Sequence, residues 1–458
     1  MKKTKMKFIA VLLLIVMLTS FLVACNSAGS DTAAQNKTDS SSEAKTGDSG
    51  KTQITFWHSM GGVGEEGIKE LVSRFNSSQD EIEVITEFQG AYDDALNKLR
   101  SASSAADAGV DVVQVFDLGT RFMIDSGWIV PVQNYIDSTG YDINNIEPNL
   151  AAYYTVDGKL NSMPFNSSTP LLYYNKDIFK KAGIENPPTS LEEILEIGEV
   201  LKTKGGAEMP IAISIYGWWV EQWMSKAGGE MFDNGNGRTA SPTSVEFVKN
   251  GKLEKILSMW HGLETKGFAP NVGRSGGSAE FISGKAAMAF ASTASLRNLL
   301  NEVGDKFELG TAYFPGALKE DTNGVSIGGA SLYIMDSGDT AKTDAAWKFI
   351  EFMISPKSQA YWNAQTGYFP INVKSHDEDV FKDNLAKYPQ FETAIKQLHD
   401  TTPQAQGALC AVYQETRQIM EKEIENLMNG LSEPAETVQK IGEQVNQSIE
   451  NYNRVNAK

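Results

Sequence analysis

From Ile54 onward the chain alternates between two hydrophobic rhythms. Ile54-Thr55-Phe56-Trp57 reads as a strand, after which Ile68, Leu71, Val72 and Phe75 recur at the i, i+3, i+4, i+7 spacing of one helix face. Ile82, Val84 and Phe88 return to strand alternation, a helix is predicted from Ala91 to about Ser104, and Val110 to Phe116 is an apolar run suited to a buried strand. This order predicts βαβ units, hence a mostly parallel sheet flanked by helices.

A second series starts near Met163, where the small polar residues Asn166 to Thr169 lie between an apolar stretch and the strand-like Leu171-Leu172-Tyr173-Tyr174. Thr189 with Glu192 forms a capping box ahead of Leu191, Ile194 and Leu195. Met209 to Ser214 is again strand-like, Leu253, Ile256, Leu257 and Trp260 repeat the helical spacing, and Ala286 to Ala291 is a short apolar strand. No internal repeat is present. The simplest container for this order is an α/β fold of two lobes, each with its own sheet.

The first residues bear on where the chain works. Lys2, Lys3, Lys5 and Lys7 precede the apolar run Phe8 to Val23, the charged start and short greasy middle of a secretory signal. That run falls short of the roughly 20 residues that span a bilayer. It ends in Leu22-Val23-Ala24-Cys25, small residues before a cysteine, the pattern cut by lipoprotein signal peptidase. Residues 1–24 are therefore read as a lipoprotein signal peptide and Cys25 as the lipidated new terminus. The stretch to residue 50 is almost wholly small and polar, cannot bury a core, and reads as a disordered tether.

Losing four lysines with the leader takes the formal charge from -17 to -21. Such a surface argues against nucleic acid or anionic lipid as a partner, so the membrane is expected to be met through the lipid anchor alone. Cys410 is the one other cysteine, which excludes a disulfide framework. About 400 residues remain, too many for one core and comfortable for two.

Catalytic signatures are missing. There is no GxSxG elbow, no HExxH, no GxGxxG after a strand and no P-loop. His58, His261, His376 and His399 are scattered singly without partners at metal-ligand spacing, so neither a metal nor a cofactor is expected. Carboxylates are abundant, which leaves a lipid-anchored glycoside or phosphodiester hydrolase open as the alternative.

What the chain does carry is aromatic and small polar residues at predicted strand ends, where open α/β sheets bind ligands. Tyr92 follows the Phe88 strand, Asp117 ends the Val110 strand, and Ser167 to Thr169 close the segment entering the second lobe. Ser292 and Thr293 end the Ala286 strand, and Gly328-Gly329, able to bring backbone amides close to a ligand, precedes Ser331 to Met335. Trp218, Trp219 and Trp223 follow the Met209 strand and suit stacking on a polyol, with at least one of the three expected in the core.

In their order these residues match a family. Through Phe56-Trp57-His58-Ser59-Met60, Pro164-Phe165-Asn166-Ser167-Ser168-Thr169-Pro170 with Tyr173-Tyr174-Asn175-Lys176-Asp177, Gly328-Gly329-Ala330-Ser331-Leu332, and Gln365-Thr366-Gly367-Tyr368 with Pro370-Ile371, the chain resembles the extracellular solute-binding proteins of ABC importers. The likeness is to family 1, the carbohydrate type, and most closely to the members that bind glycerol-3-phosphate. Phe281 to Met288 looks like a broader marker of sugar-type binders, and the blocks together run through nearly all of residues 53–430.

The resemblance implies a periplasmic-binding-protein-like clamp, a monomer and not an enzyme, that captures a small solute on the outer face of the cell membrane and hands it to the transmembrane subunits of an ABC permease. Lobe 1 would take residues 51–163 and 311–354, lobe 2 residues 167–309 and 358–458, with crossings near 164–166, 310 and 355–357. Ser168 would then sit just past a hinge, where a site dried by closure needs fixed donors in place of water. Family ligand contacts carry over in type to Tyr92, Ser168, Ser292, Gly329 and Tyr368, with Trp218 and Trp219 beside them. Asp117 stands for a glutamate, and Leu409 for the arginine that grips phosphate. Arg417 lies eight residues on, about 12 Å away if a helix joins them, and is therefore set aside as a replacement. Glycerol-3-phosphate, a glycerophosphodiester and an uncharged sugar or polyol all remain open as ligands.

Overall fold

The structure, a computed structural model, describes residues 50–402 and 405–456. The leader, Cys25 and all of the tether but its last residue lie outside the described residues. Two mixed sheets carry the chain. The first is ordered β2-β1-β3-β12-β4, with β7 paired on β12: β1 (Thr52–His58), β2 (Ile82–Phe88), β3 (Val112–Phe116), β4 (Ile129–Val130), β7 (Met163–Ser168) and β12 (Gly328–Met335). The second is ordered β11-β8-β10-β9, from β8 (Pro170–Asn175), β9 (Met209–Ala212), β10 (Ala286–Ser292) and β11 (Leu309–Tyr313). A hairpin of β5 (Thr155–Val156) and β6 (Lys159–Leu160) stands apart.

The helices of ten or more residues are α1 (Gly62–Ser78), α2 (Tyr92–Ser101), α3 (Leu191–Thr203), α4 (Gly217–Lys226), α5 (Lys252–Thr265), α6 (Thr340–Met353), α7 (Pro356–Thr366), α8 (Gln390–Asp400), α9 (Tyr413–Met428) and α10 (Pro434–Asn456). The periodic residues do what their spacing predicts: Ile68, Leu71, Val72 and Phe75 are the buried face of α1, and Leu253, Ile256, Leu257 and Trp260 that of α5. One apolar cluster gathers Trp223, Trp260 and Met420 around α4, α5 and α9, and another gathers Phe56, Trp347 and Trp362 around β1, α6 and α7.

The details differ from expectation in four places. The helix expected from Ala91 to Ser104 stops at Ser101, and a separate turn of helix covers Ala105–Ala108. The cap of α3 is Ser190, whose hydroxyl accepts from the Glu193 amide at 3.1 Å, while Thr189 donates to the Glu193 carboxylate; the pattern is shifted by one residue. The sheets are mixed rather than mostly parallel. β1 runs parallel to β2 and β3, and β9 to β10, but β12 is antiparallel to β3, β4 and β7, and β8 to β10 and β11. The reason is that these strands arrive by passing between sheets, which frees them from the helical crossover that parallel neighbours need. Finally, Gly310 lies inside β11, paired with Tyr174, so the passage expected near 310 falls between Tyr313 and Gly328 instead.

The first passage is short. β7 and β8 are one nearly continuous strand, with Thr169 alone between a residue of the first sheet and a residue of the second. Gln397 of α8 clamps this point: its Nε2 donates to Thr169 Oγ1 at 2.9 Å and to the Pro170 carbonyl at 2.8 Å, and its Oε1 accepts from the Phe314 amide at 2.7 Å. One buried amide thus ties the first passage to the start of the second. Gln397→Leu leaves the Phe314 N–H buried without a partner and is expected to destabilise the fold by about 3 kcal/mol, read as a lowered urea midpoint. An unchanged midpoint would show that the clamp is dispensable.

Candidate functional site

Strand ends from both sheets meet around a cavity of about 450 Å³, within the usual size of small-molecule sites. β3 ends at Phe116, and the chain turns at once into a short 3-10 turn whose first residue is Asp117. Tyr92 opens α2 just after β2, its ring stacked on Phe116 with centroids 5.2 Å apart. Its hydroxyl accepts from Asn166 Nδ2 at 2.8 Å, and Asn166 Oδ1 in turn accepts from Gln114 at 2.8 Å. The buried asparagine of β7 therefore orients the tyrosine and leaves the phenolic proton to point elsewhere. Tyr368 follows α7 and stacks on Trp362 at 5.7 Å.

Ser168 is the last residue of β7 and Ser292 the last of β10, where its hydroxyl accepts from the Ala294 amide. Gly329 has φ +98°, and a Cβ there would stand 2.1 Å from the Asn166 carbonyl. Only glycine permits both that backbone and that approach of β12 to β7. Trp218 and Trp219 begin α4 with ring centroids 5.4 Å apart, and Trp219 Nε1 donates to Ser214 at 3.1 Å.

All eight residues singled out from the sequence, Tyr92, Asp117, Ser168, Trp218, Trp219, Ser292, Gly329 and Tyr368, line this one cavity. All three tryptophans are buried, and Trp223, packed against Trp260, Phe290 and Phe314, is the one that stays out of the lining. Leu409 is absent from the lining and buried among apolar side chains. Arg417, set aside on helix arithmetic, does line the cavity. That arithmetic assumed a continuous helix, whereas α9 begins only at Tyr413 and residues 406–410 are irregular.

The sequence reading missed Arg274, Tyr216, Ser214, Ser275 and Ser278, which share the lining. The run Gly273-Arg274-Ser275-Gly276-Gly277-Ser278, an arginine amid small polar residues in an acidic chain, was the available signal. Both arginines lie over the Tyr216 ring, Arg274 at 4.0 Å and Arg417 at 5.4 Å.

Their charges are engaged differently. Arg417 is buried, its Nε and Nη2 each 2.8 Å from a Glu221 carboxylate oxygen, with Asp117 a further 3.7 Å contact. Arg274 is half exposed and engages Glu421 through Nε at 3.0 Å, while its two terminal nitrogens make no hydrogen bond to another described residue. Burial pushes the Asp117 carboxyl up to about 7, with Glu221 adding to the rise and Arg417 opposing it. Asp117 can therefore accept from a ligand hydroxyl when ionised, and a bound donor would draw off its proton. Among the described residues no group of three or more His, Cys, Asp or Glu side chains is placed to hold a metal.

Comparison with known proteins matches residues 70–393 to the family described as bacterial extracellular solute-binding protein. The sn-glycerol-3-phosphate-binding periplasmic protein UgpB of Escherichia coli K12 is 30% identical over 413 residues, covering 88% of this chain and 94% of the relative. Among solved structures, UgpB from Mycobacterium tuberculosis in complex with glycerophosphocholine aligns with a TM-score of 0.73 at 24% identity, covering 88% of this chain and 99% of that one. The sugar-binding protein MalE from Xanthomonas citri gives the same values. These structures are similar to the chain in fold.

Two outcomes follow from the charge cluster. Glu221→Ala strands the buried Arg417 guanidinium and should cost about 3–5 kcal/mol, measured by urea denaturation. Asp117 holds its proton more tightly folded than unfolded, so the fold loses stability as pH rises from about 4 to about 7 and is level above. Wild type should therefore lose stability relative to Asp117→Asn across that window, and a difference independent of pH would rule out the raised carboxyl.

Proposed function

The chain belongs to the family of bacterial extracellular solute-binding proteins, and from that premise we propose that its cavity captures a polyhydroxylated solute bearing a phosphoryl group, glycerol-3-phosphate or a glycerophosphodiester. The chain is the substrate-binding component of an ABC importer, acting outside the cytoplasmic membrane and delivering a small molecule to a permease. Its relatives are solute-binding proteins rather than enzymes, and the hydrolase alternative has no support among them. Cys25 holds the monomer to the outer face of the membrane by its lipid.

The observation that carries the ligand reading is the meeting of those eight residues, from strand ends and helix ends alike, with an arginine whose terminal nitrogens make no hydrogen bond to another described residue. Trp218 and Trp219 stack on the C–H face of the polyol. Asp117, Ser168, Ser292 and Tyr92 take its hydroxyls, and the Gly329 backbone closes against it. Arg274 supplies the paired donors that phosphate needs, the role Leu409 cannot fill. The lobes, one carrying β1–β4, β7 and β12 and the other carrying β8–β11, close on the ligand around the passage at Thr169, so the captured hydroxyls exchange water for fixed partners.

A second reading, an uncharged sugar, is favoured by the pairing of Arg417 with Glu221 and Asp117, which leaves the deep cation already neutralised. Thermal unfolding with glycerol-3-phosphate, glycerophosphocholine and neutral sugars separates the two. A true ligand at 100 times its Kd stabilises the fold by about 2.7 kcal/mol. Arg274→Ala should then weaken glycerol-3-phosphate at least tenfold and leave neutral sugars unchanged. A response to neutral sugars alone would replace the first reading with the second.

A further inference from the structure

Tyr92 lines the cavity, and its hydroxyl ends a chain of hydrogen bonds that starts at the turn after β1. The Ser59 amide donates to Gln114 Oε1 at 2.8 Å, Gln114 Nε2 donates to Asn166 Oδ1 at 2.8 Å, and Asn166 Nδ2 donates to the Tyr92 oxygen at 2.8 Å. These bonds run from the end of β1 through β3 and β7 to the first turn of α2. Gln114 and Asn166 are buried, and neither lines the cavity.

The direction of this chain is fixed from both ends. A backbone N–H can only donate, so Gln114 turns its oxygen to Ser59 and has its amino group left for Asn166. Asn166 must then offer its oxygen to Gln114 and its amino group to Tyr92. The Met60 thioether, an acceptor with no proton of its own, stands 3.9 Å from the same Nδ2 and demands the same orientation. Reversing either amide would set donor against donor in the interior, where an unmade bond costs most. The Tyr92 oxygen therefore accepts, and its proton cannot return to Asn166. The Tyr368 hydroxyl adjoins it. The two hydroxyls hold two protons and spend at most one on each other, so at least one is left for the cavity that both residues line.

We infer that Gln114 and Asn166 are positioning residues for ligand capture: they hold the Tyr92–Tyr368 pair as a hydrogen-bond donor and so select a ligand atom that accepts, a phosphoryl, ether or hydroxyl oxygen. This rests on the solute-binding reading of the cavity and applies to a phosphorylated and to an uncharged ligand alike. A ligand that brings an ammonium group to the pair meets protons with protons and is refused.

Titration calorimetry with glycerol-3-phosphate, glycerophosphocholine and maltose tests it on each probe that binds wild type. Tyr92→Phe, which deletes the donor, should weaken such a probe about tenfold. Gln114→Met keeps the bulk of the side chain and removes both of its hydrogen bonds. It should weaken the probe about fivefold when Tyr92 is present and less than about twofold in the Tyr92→Phe background, because its effect passes through that hydroxyl. A residue that only supports the fold would cost the same factor in both backgrounds. Asn166→Leu, taken through the same cycle, gives the comparison again should Gln114→Met fail to fold, with melting temperatures reporting which variants are folded. Equal factors in the two backgrounds, or undiminished binding by any folded single variant, overturn the inference and leave the reading of the cavity standing. If wild type binds none of the probes, that reading falls and the inference with it.

Discussion

One run of chain, Met163 to Asn175, is a strand in both sheets, and the site is built around that sharing. Such a strand cannot leave its polar groups to water, because nearly all of it is buried. Nearly every one needs a partner inside the protein, the buried Ser167 hydroxyl being left without one. Asn166 finds Gln114 and Tyr92, the Thr169 carbonyl accepts from the Thr293 amide, and Gln397 takes the Thr169 hydroxyl and the Pro170 carbonyl. Those same bonds fix where Tyr92 stands, bring the end of β10 to the passage, and hold β11 and its exit nearby. The hydroxyl cluster in the sequence is thus the joint of the fold, and through Ser168 it is part of the floor of the cleft.

A second constraint is the cost of bringing charge into that floor. Asp117, Glu221 and Arg417 are all nearly free of solvent, and any one of them alone would be strongly disfavoured. Together they satisfy most of one another's demands, with Asp117 the member left furthest from its partner and its carboxyl accordingly raised. The cluster keeps a carboxylate, that of Asp117, which can accept from a hydroxyl. Arg274 at the mouth escapes this economy because water reaches it.

The alternation of strand and helix, the buried faces of α1 and α5, the strand-end residues and the family were legible because each rests on local spacing or short contiguous blocks. The errors share one cause. Mixed sheet direction, the position of the passage after β11 and the standing of Arg417 depend on which distant strands pair and where a helix begins. Attention to Leu409, which offers no phosphate donor, concealed Arg274, whose nearness to Tyr216 and to Glu421, the latter more than a hundred residues on, exists only in the folded chain.

By itself the sequence determined the class of fold, the residues that would sit at strand ends and the family to which the chain belongs, since hydrophobic period and motif order are properties of neighbours along the chain. Only the tertiary structure decided which of the three tryptophans stays out of the cavity wall, which arginines reach the cavity, and that burial raises a carboxyl to about 7. Those follow from burial and from distances between remote segments, quantities that exist only after the chain has folded.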